Sequence, residues 1–245
     1  GDCRISDSRT NPTAAARFLE RQCFAVTSSL EARGRVWASL LTGPAGFIGA
    51  VDDQMLRLAV HPGPGNPLAD NLAARPELGL LVLDPRTRQR MRFNGRGLLS
   101  PEGVFLLVEQ VYGNCPKYIQ RRGLEPAAGP AQPGAPRVSE QLSRSQQDWI
   151  RQADTFFIAS FHPGGGADAS HRGGFPGFVR VLGPTRLAFA DYPGNGMFNT
   201  LGNPYTTSRP AVDLDEREQV HQFDEPFTDQ FLLADLNLSY DFGSM

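Results

Sequence analysis

Short apolar runs separated by turn residues recur along most of the chain. Runs such as CFAVTSS (23–29), ELGLLVLD (77–84) and TFFIASF (155–161) have the length and the aliphatic, β-branched and aromatic content of strands. The runs ELGLLVLD and RMRFNGRGLL flank PRTRQ, a pattern that predicts a hairpin. We therefore expect a mainly β protein with many short strands.

A few segments carry helix signals instead. Asn11 can cap a first helix with Pro12 at its first position, and Ser143 with Gln146 forms a capping box before QDWIRQAD. The run VFLLVEQVY (104–112) lacks clean alternation, but the turn residues GNC after it favour a strand. They also predict a helix that begins at Pro116.

The two halves of the chain repeat each other. ASLLTGPAGFI (38–48) aligns with ASHRGGFPGFV (169–179), and the same offset pairs Leu56 with Leu187. Between the halves lies LEPAAGPAQPGAPRV, whose composition is typical of a linker. The sequence therefore predicts a tandem duplication, with domains at 1–123 and 139–245 joined by 124–138.

The second copy departs from the first after LGNP (201–204). The following residues, YTTSRPAVDLDEREQVHQFDEPF, are far more polar than ELGLLVLD and RMRFNGRGLL of the first copy. Either AVDLD and QVHQF are poor strands or a segment has been lost. We interpret the second copy as incomplete, with the tail FLLADLNLSY able to cover an open barrel edge.

Composition excludes several classes of function. The 245 residues include 24 Lys and Arg against 26 Asp and Glu, so the formal net charge of −2 predicts neither a nucleic-acid partner nor an anionic membrane surface. Neither a membrane-spanning run nor a signal peptide is recognisable, the three cysteines lack a CxxC motif, and the four histidines lack metal-ligand spacing. We expect a cytoplasmic protein without a metal site.

The motif ASHRGG is the first candidate site. Arg172 offers a planar fork of donors for phosphate or carboxylate, and Gly173 and Gly174 admit close approach of a ligand to the backbone. Ser170 and His171 precede them. The alternative is a glycine-rich turn with a solvated arginine. The first copy has Leu-Thr-Gly at the matching positions, which predicts one main site.

The motif QVYGNCPKYIQRR in the first copy is the second candidate. In the predicted helix, Lys117 would lie at the positive N-terminal end and Arg121 one turn later, an arrangement that suits an anion clamp. The alternative is a solvated basic helix.

These motifs, together with LAFADYPGNGMFNTLGNP, resemble the FMN-binding split-barrel family of pyridoxamine 5′-phosphate oxidase. QVYGNCPKYIQRR resembles a signature of its two-domain bacterial branch. The resemblance covers about residues 12–204. It implies a flavin-reductase/oxidase-like split β-barrel with FMN held between two barrels. Ordinary members pair two chains, whereas here both copies would form a pseudo-dimer within one chain; a homodimer also stays possible.

The resemblance also implies roles for individual residues. Arg172, Gly173 and Gly174 would hold the FMN phosphate with Lys117 and Arg121 opposite, while His171 would approach flavin or substrate or simply face outward. Tyr112 and Tyr118 would lie against the isoalloxazine ring or belong to the core. Where the family has more basic and hydroxyl residues, this chain has Gly194, Asn195 and Gly196. Further contacts would come from Asn195, Met197, Asn199 and Thr200.

The function that follows is an FMN-dependent oxidoreductase acting on a small organic molecule. The sequence leaves two alternatives open: a flavin-binding protein without turnover, and the same fold binding a deazaflavin or haem. No residue stands out as a catalytic acid or base. Because a GxGxxG fingerprint is absent from the sequence, a nicotinamide partner could only visit.

Overall fold

The computed structural model describes residues 12–63, 65–113, 116–124, 138–139, 141–190, 192, 205–206, 209–213, 218–222 and 227–228. The protein is mostly β with a few short helices, which confirms the predicted class. The elements of the first half are α1 (Pro12–Leu19), β1 (Phe24–Leu30), β2 (Val36–Thr42), β3 (Ile48–Ala50), β4 (Met55–Leu58), α2 (Leu68–Ala74), β5 (Glu77–Asp84), β6 (Gln89–Ser100) and β7 (Gly103–Gly113). Those of the second half are β8 (Val138–Ser139), α3 (Arg144–Gln152), β9 (Thr155–His162), β10 (Gly166–Gly173), β11 (Val179–Gly183), β12 (Arg186–Ala190), β13 (Tyr205–Thr206), β14 (Arg209–Asp213), β15 (Glu218–Gln222) and β16 (Phe227–Thr228).

The strands of the first half form one antiparallel sheet in the order β2-β1-β5-β6-β7-β4-β3. Its inner face closes around one apolar core, consistent with a split barrel, to which Leu56, Leu80, Phe93 and Leu106 contribute fully buried side chains. The predicted hairpin around PRTRQ is present, since β5 and β6 pair along their length on either side of residues 85–88. VFLLVEQVY lies within β7, as the turn after it indicated.

Two of the three helix predictions are confirmed. Helix α1 begins at Pro12, and Ser143 caps α3. The Ser143 hydroxyl accepts a hydrogen bond from the Gln146 amide, and the Gln146 side chain accepts one from the Ser143 amide at 2.8 Å. This reciprocal pair satisfies two amides that the first turn of a helix leaves without partners.

The helix predicted from Pro116 is wrong. Residues 116–124 form a turn followed by a segment without regular secondary structure, and Tyr118 has a φ of +67°, in the left-handed region that a right-handed helix cannot contain. The Arg122 amide donates to the carbonyl of Pro85 in the β5–β6 turn. The buried side chain of Ile119 packs with Phe24 and Leu83. These tertiary contacts outweigh the local preference for a helix.

The second half repeats the strand geometry of the first. Phe24 pairs with Thr42 between β1 and β2, and residues 131 positions later, Thr155 and Gly173, pair between β9 and β10. The same offset relates the β3–β4 and β11–β12 hairpins. The second-half strands form two sheets, with the orders β10-β9-β13 and β11-β12-β15-β14. Because β9 to β12 correspond to β1 to β4, the strands β13, β14 and β15 occupy the positions that β5, β6 and β7 have in the first sheet. A short pair, β16 with β8, is separate.

Strands β14 and β15 lie in the polar stretch after LGNP, for which the sequence leaves open either poor strands or a lost segment. They overlap AVDLD and QVHQF, so both segments do enter a sheet, although each strand has only five residues. The tail FLLADLNLSY and residues 125–137 of the linker lie outside the described residues.

The β9–β10 hairpin packs directly on the first sheet. Strand β10 crosses β5 and β6, while β1 contacts β10 and β2 contacts β9. Gly79 permits the closest approach, because a Cβ there would lie 2.7 Å from the carbonyl oxygen of Ala167. All seven residues of β1 are buried, and the Ser28 hydroxyl donates to the carbonyl of Ser160.

Candidate functional site

A buried polar network lies in the seam, our name for the surface where β10 crosses β5 and β6. Arg92 on β6 donates from Nη1 to Oδ2 of Asp168 on β10 at 3.0 Å and from Nη2 to the Ser170 hydroxyl at 2.9 Å. Asn94 donates to Oδ1 of the same carboxylate at 3.2 Å. None of the four residues is more than 6% exposed. The seam is therefore held by a hydrogen-bonded ion pair between the two halves.

His171 lies in the same seam and is 3% exposed. Its Nδ1 is 3.4 Å from Nη1 of Arg90; because a guanidinium can only donate, Nδ1 accepts and the ring proton is on Nε2. Burial lowers the pKa of His171 well below its ordinary value of 6.5, and the charges of Arg90, Arg172, Arg92 and Arg122 lower it further. The imidazole is therefore neutral at physiological pH.

Four arginines lie around this histidine. The charges of Arg90, Arg172, Arg92 and Arg122 all act on its pKa; Arg92 is paired with Asp168, and Arg122 forms a buried ion pair with Asp154. A cluster of guanidinium groups favours anions.

The two predicted motifs meet at Gly173 and Gly174. A Cβ on Gly173 would collide with the carbonyl oxygen of Tyr118, and one on Gly174 would lie 2.7 Å from atoms of the Phe178 side chain. Gln120 donates to the carbonyl of Gly174 at 2.9 Å. Contacts within the chain itself thus account for both glycines, and the first-half segment 116–124 lies across the end of β10.

Two tyrosines lie at this meeting point. The ring of Tyr118 stacks on that of Tyr192, with centroids 5.0 Å apart and 29° between the planes. Both side chains remain partly open, at 38% and 39% exposure. Lys117 is exposed on the same turn as Tyr118.

Arg121 and Tyr112 lie elsewhere around the seam. Arg121 is exposed and donates from Nε to the carbonyl of Arg86, so it does not share a helix face with Lys117 as expected. Tyr112 pairs with Arg92 across β6 and β7, and its hydroxyl donates to the Gln110 side chain at 2.9 Å. Burial raises the pKa of Tyr112, and the charge of Asp168 adds to the rise. Tyr112 is therefore a protonated phenol.

The remaining predicted residues, Asn195, Met197, Asn199 and Thr200, lie outside the described residues. Sequence reasoning missed Arg90, Arg92, Asn94 and Asp168. A signal was present, since RMRFN places polar residues at alternate positions and so on one face of a strand. In the part of the chain that the structure describes, no cluster of His, Cys, Asp or Glu could hold a metal ion, and no helix is long and apolar enough to cross a membrane.

Comparison with known proteins agrees with this architecture. Residues 12–131 match the family model of pyridoxamine 5′-phosphate oxidase. This part of the chain belongs to that family. The oxidase-like domain so defined contains the complete first sheet and the segment that crosses Gly173 and Gly174. The resemblance predicted from the motifs is thereby confirmed.

Similarity to individual proteins is much weaker. Two crystal structures of tagged HupZ from Group A Streptococcus, one of them a variant, match with 15% and 14% identity and TM-scores of 0.32 and 0.33. The matches cover 39% and 41% of this chain and 93% and 91% of HupZ. No curated protein matches the chain.

Proposed function

We propose that the chain binds FMN at the seam and acts as an FMN-dependent oxidoreductase on a small organic molecule. Members of the pyridoxamine 5′-phosphate oxidase family often bind flavin. The observation that carries the proposal is the contact of two arginines of β6 with β10 in the seam, Arg90 with His171 and Arg92 with Asp168 and Ser170, beside the meeting point of the two motifs.

The donors in the seam suit a flavin phosphate. A phosphate monoester carries close to two negative charges at neutral pH, and the guanidinium fork of arginine is well matched to its oxygens. Gly173 and Gly174 do not form an open cradle, because Tyr118 and Phe178 occupy the space above them. The phosphate would therefore be held by arginine side chains rather than by glycine amides.

When bound, the flavin would supply the hydride chemistry, and the chain would bind and orient it. Neutral His171 and the phenol of Tyr112 would act as hydrogen-bonding groups. A nicotinamide or organic reductant would be a visiting substrate.

We further propose that the chain is a tandem duplication whose two halves form a pseudo-dimer. Its support is the repeated hairpin register and the reciprocal packing of β1 on β10 and β2 on β9, as a two-fold relation gives. At the offset of 131 residues, His171 and Arg172 correspond to Leu40 and Leu41. Only the second-half position carries the cation, so we expect one FMN per chain.

The substitution Arg172→Ala tests the assignment of the phosphate. We expect it to weaken FMN binding by about 1.5–3 kcal/mol, the scale of a hydrogen bond to a charged group, and to change riboflavin binding much less. Calorimetric titration of both ligands measures the difference. Arg96→Ala, at an exposed position on the same strand as Arg90 and Arg92, is the control. Equal losses for FMN and riboflavin would place Arg172 away from the phosphate.

The absorption spectrum of the purified protein tests the cofactor. Flavin bands are expected, with bleaching on photoreduction and turnover with a reductant if the protein is an enzyme. The bands of a deazaflavin or haem would replace FMN in the proposal, and flavin bands without turnover would indicate a carrier.

A further inference from the structure

The backbone of Tyr118 is held in an unfavourable conformation. Among the described residues, only Arg88 and Tyr118 combine a side chain with a clearly positive φ. Arg88 lies in the β5–β6 hairpin turn, where such a φ is common. Tyr118 lies in no hairpin, and bulky residues avoid this region of φ. Strain of this kind persists only where the surroundings impose it, and it is concentrated at ligand sites.

The contacts around Tyr118 show what imposes the strain. The Tyr118 carbonyl lies against Gly173. The next residue, Ile119, is buried with Phe24 and Leu83. The side chain of Gln120 donates a hydrogen bond to the carbonyl of Gly174. While Ile119 points into the core, the left-handed turn leaves the Tyr118 ring at the surface. There it stacks on Tyr192 of the other half.

The stacked pair has the position and size of a platform for a planar ring. It lies beside Gly173, which directly follows Arg172, one of the arginines that act on His171. The centroid separation of 5.0 Å leaves no room for a ring between the tyrosines, because insertion needs about 7 Å. A planar ligand must therefore lie on an outer face of the pair.

We propose that Tyr118 and Tyr192 together form the platform on which the isoalloxazine ring of FMN stacks. The proposal rests on the proposed function and deepens it. FMN has an anionic phosphate at one end and a planar ring at the other, which matches a guanidinium cluster next to an aromatic pair. The platform exists only when both halves are docked, since each half supplies one ring.

Flavin fluorescence provides a test that separates stacking from folding. A phenol in contact with excited isoalloxazine transfers an electron to it and quenches its emission, whereas a phenyl ring does not. Bound FMN should be strongly quenched in the unaltered protein. Tyr118→Phe or Tyr192→Phe, whichever phenol makes the direct contact, should restore emission several-fold at saturating FMN while leaving the fold intact. Trp149→Phe, which removes an exposed electron-donating ring on α3, is the matched control and should restore none.

Affinity provides the second measurement. Tyr118→Ala should weaken FMN and riboflavin by the same factor, roughly 3- to 10-fold for one aromatic contact, whereas Arg172→Ala should affect FMN selectively. If FMN binds, but emission is unchanged in both tyrosine-to-phenylalanine variants and Tyr118→Ala binds normally, the platform is refuted and the proposed function stands. If the unaltered protein does not bind FMN, both are refuted.

Discussion

At the scale of single residues, Gly173 fixes the relation between the two halves because it has no side chain. The Tyr118 carbonyl occupies the place of its Cβ, so the first-half segment 116–124 can lie directly on the end of β10. A methyl group would push this segment away, together with the Tyr118 ring.

We therefore expect Gly173→Ala to lower the free energy of unfolding by about 1–3 kcal/mol, the usual cost of overpacking. Urea denaturation measures it. Gly183→Ala is the control, because nothing lies within 4 Å of its Cβ position. Equal stability of the two variants would show that the Tyr118 segment does not rest on Gly173.

His171 predicts a pH dependence of stability. Its pKa is lowered in the folded protein, so the unfolded chain binds the proton more readily, and stability falls as the pH drops below the unfolded value of about 6.5. The contribution approaches about 1.4 kcal/mol per pH unit. His171→Gln should flatten this part of the profile between pH 7 and 5, whereas exposed His162→Gln should not. Superimposable profiles for both variants would contradict a buried neutral imidazole.

At the scale of elements, β6 and β10 are joined by charge as well as by packing. Asp168 neutralises Arg92, and removal of one partner from a buried pair leaves the other charge without compensation. The apolar contacts beside the pair do not replace this interaction.

Asp168→Asn, which keeps the shape but removes the charge, should cost about 3–5 kcal/mol of stability in chemical denaturation. The exposed pair Asp148–Arg151 supplies the control, since Asp148→Asn should change stability by less than about 1 kcal/mol. A double variant, Arg92→Met with Asp168→Asn, should recover part of the loss. A small effect of Asp168→Asn alone would mean that water enters the seam.

Elements with strong local patterns could be predicted from the sequence, and those set by tertiary contacts could not. Alternation and turn residues predicted the β5–β6 hairpin, and the capping box predicted the start of α3. The prediction of a helix at Pro116 was wrong because contacts of Gly173 and Ile119 impose the conformation of Tyr118. Gly173 is distant in the sequence, so no local pattern shows its contact with Tyr118. The sequence did not decide whether β14 and β15 form strands, because apolar and polar residues alternate only weakly in them.

At the scale of the whole molecule, internal repetition is the sequence signal that bears on the two halves. The 131-residue offset read from the sequence recurs in the register of both hairpins and in the strand order. The tandem duplication that we infer from it stays a proposal. It did not reveal the seam network, because Arg92 and Asp168 lie far apart in the chain and only packing brings them together. The site residues that the motifs predicted stay a prediction, and the structure adds Arg90, Arg92, Arg122 and Tyr192 as candidates in the same neighbourhood.

The central claim is that both halves of one chain build a single FMN site. Titration of cofactor-free protein with FMN, followed by fluorescence and combined with light scattering to count chains, tests it most directly. We expect saturation near one FMN per chain, since Leu41 replaces the arginine in the first half. Saturation near two per chain, near one per two chains, or no binding would contradict the account.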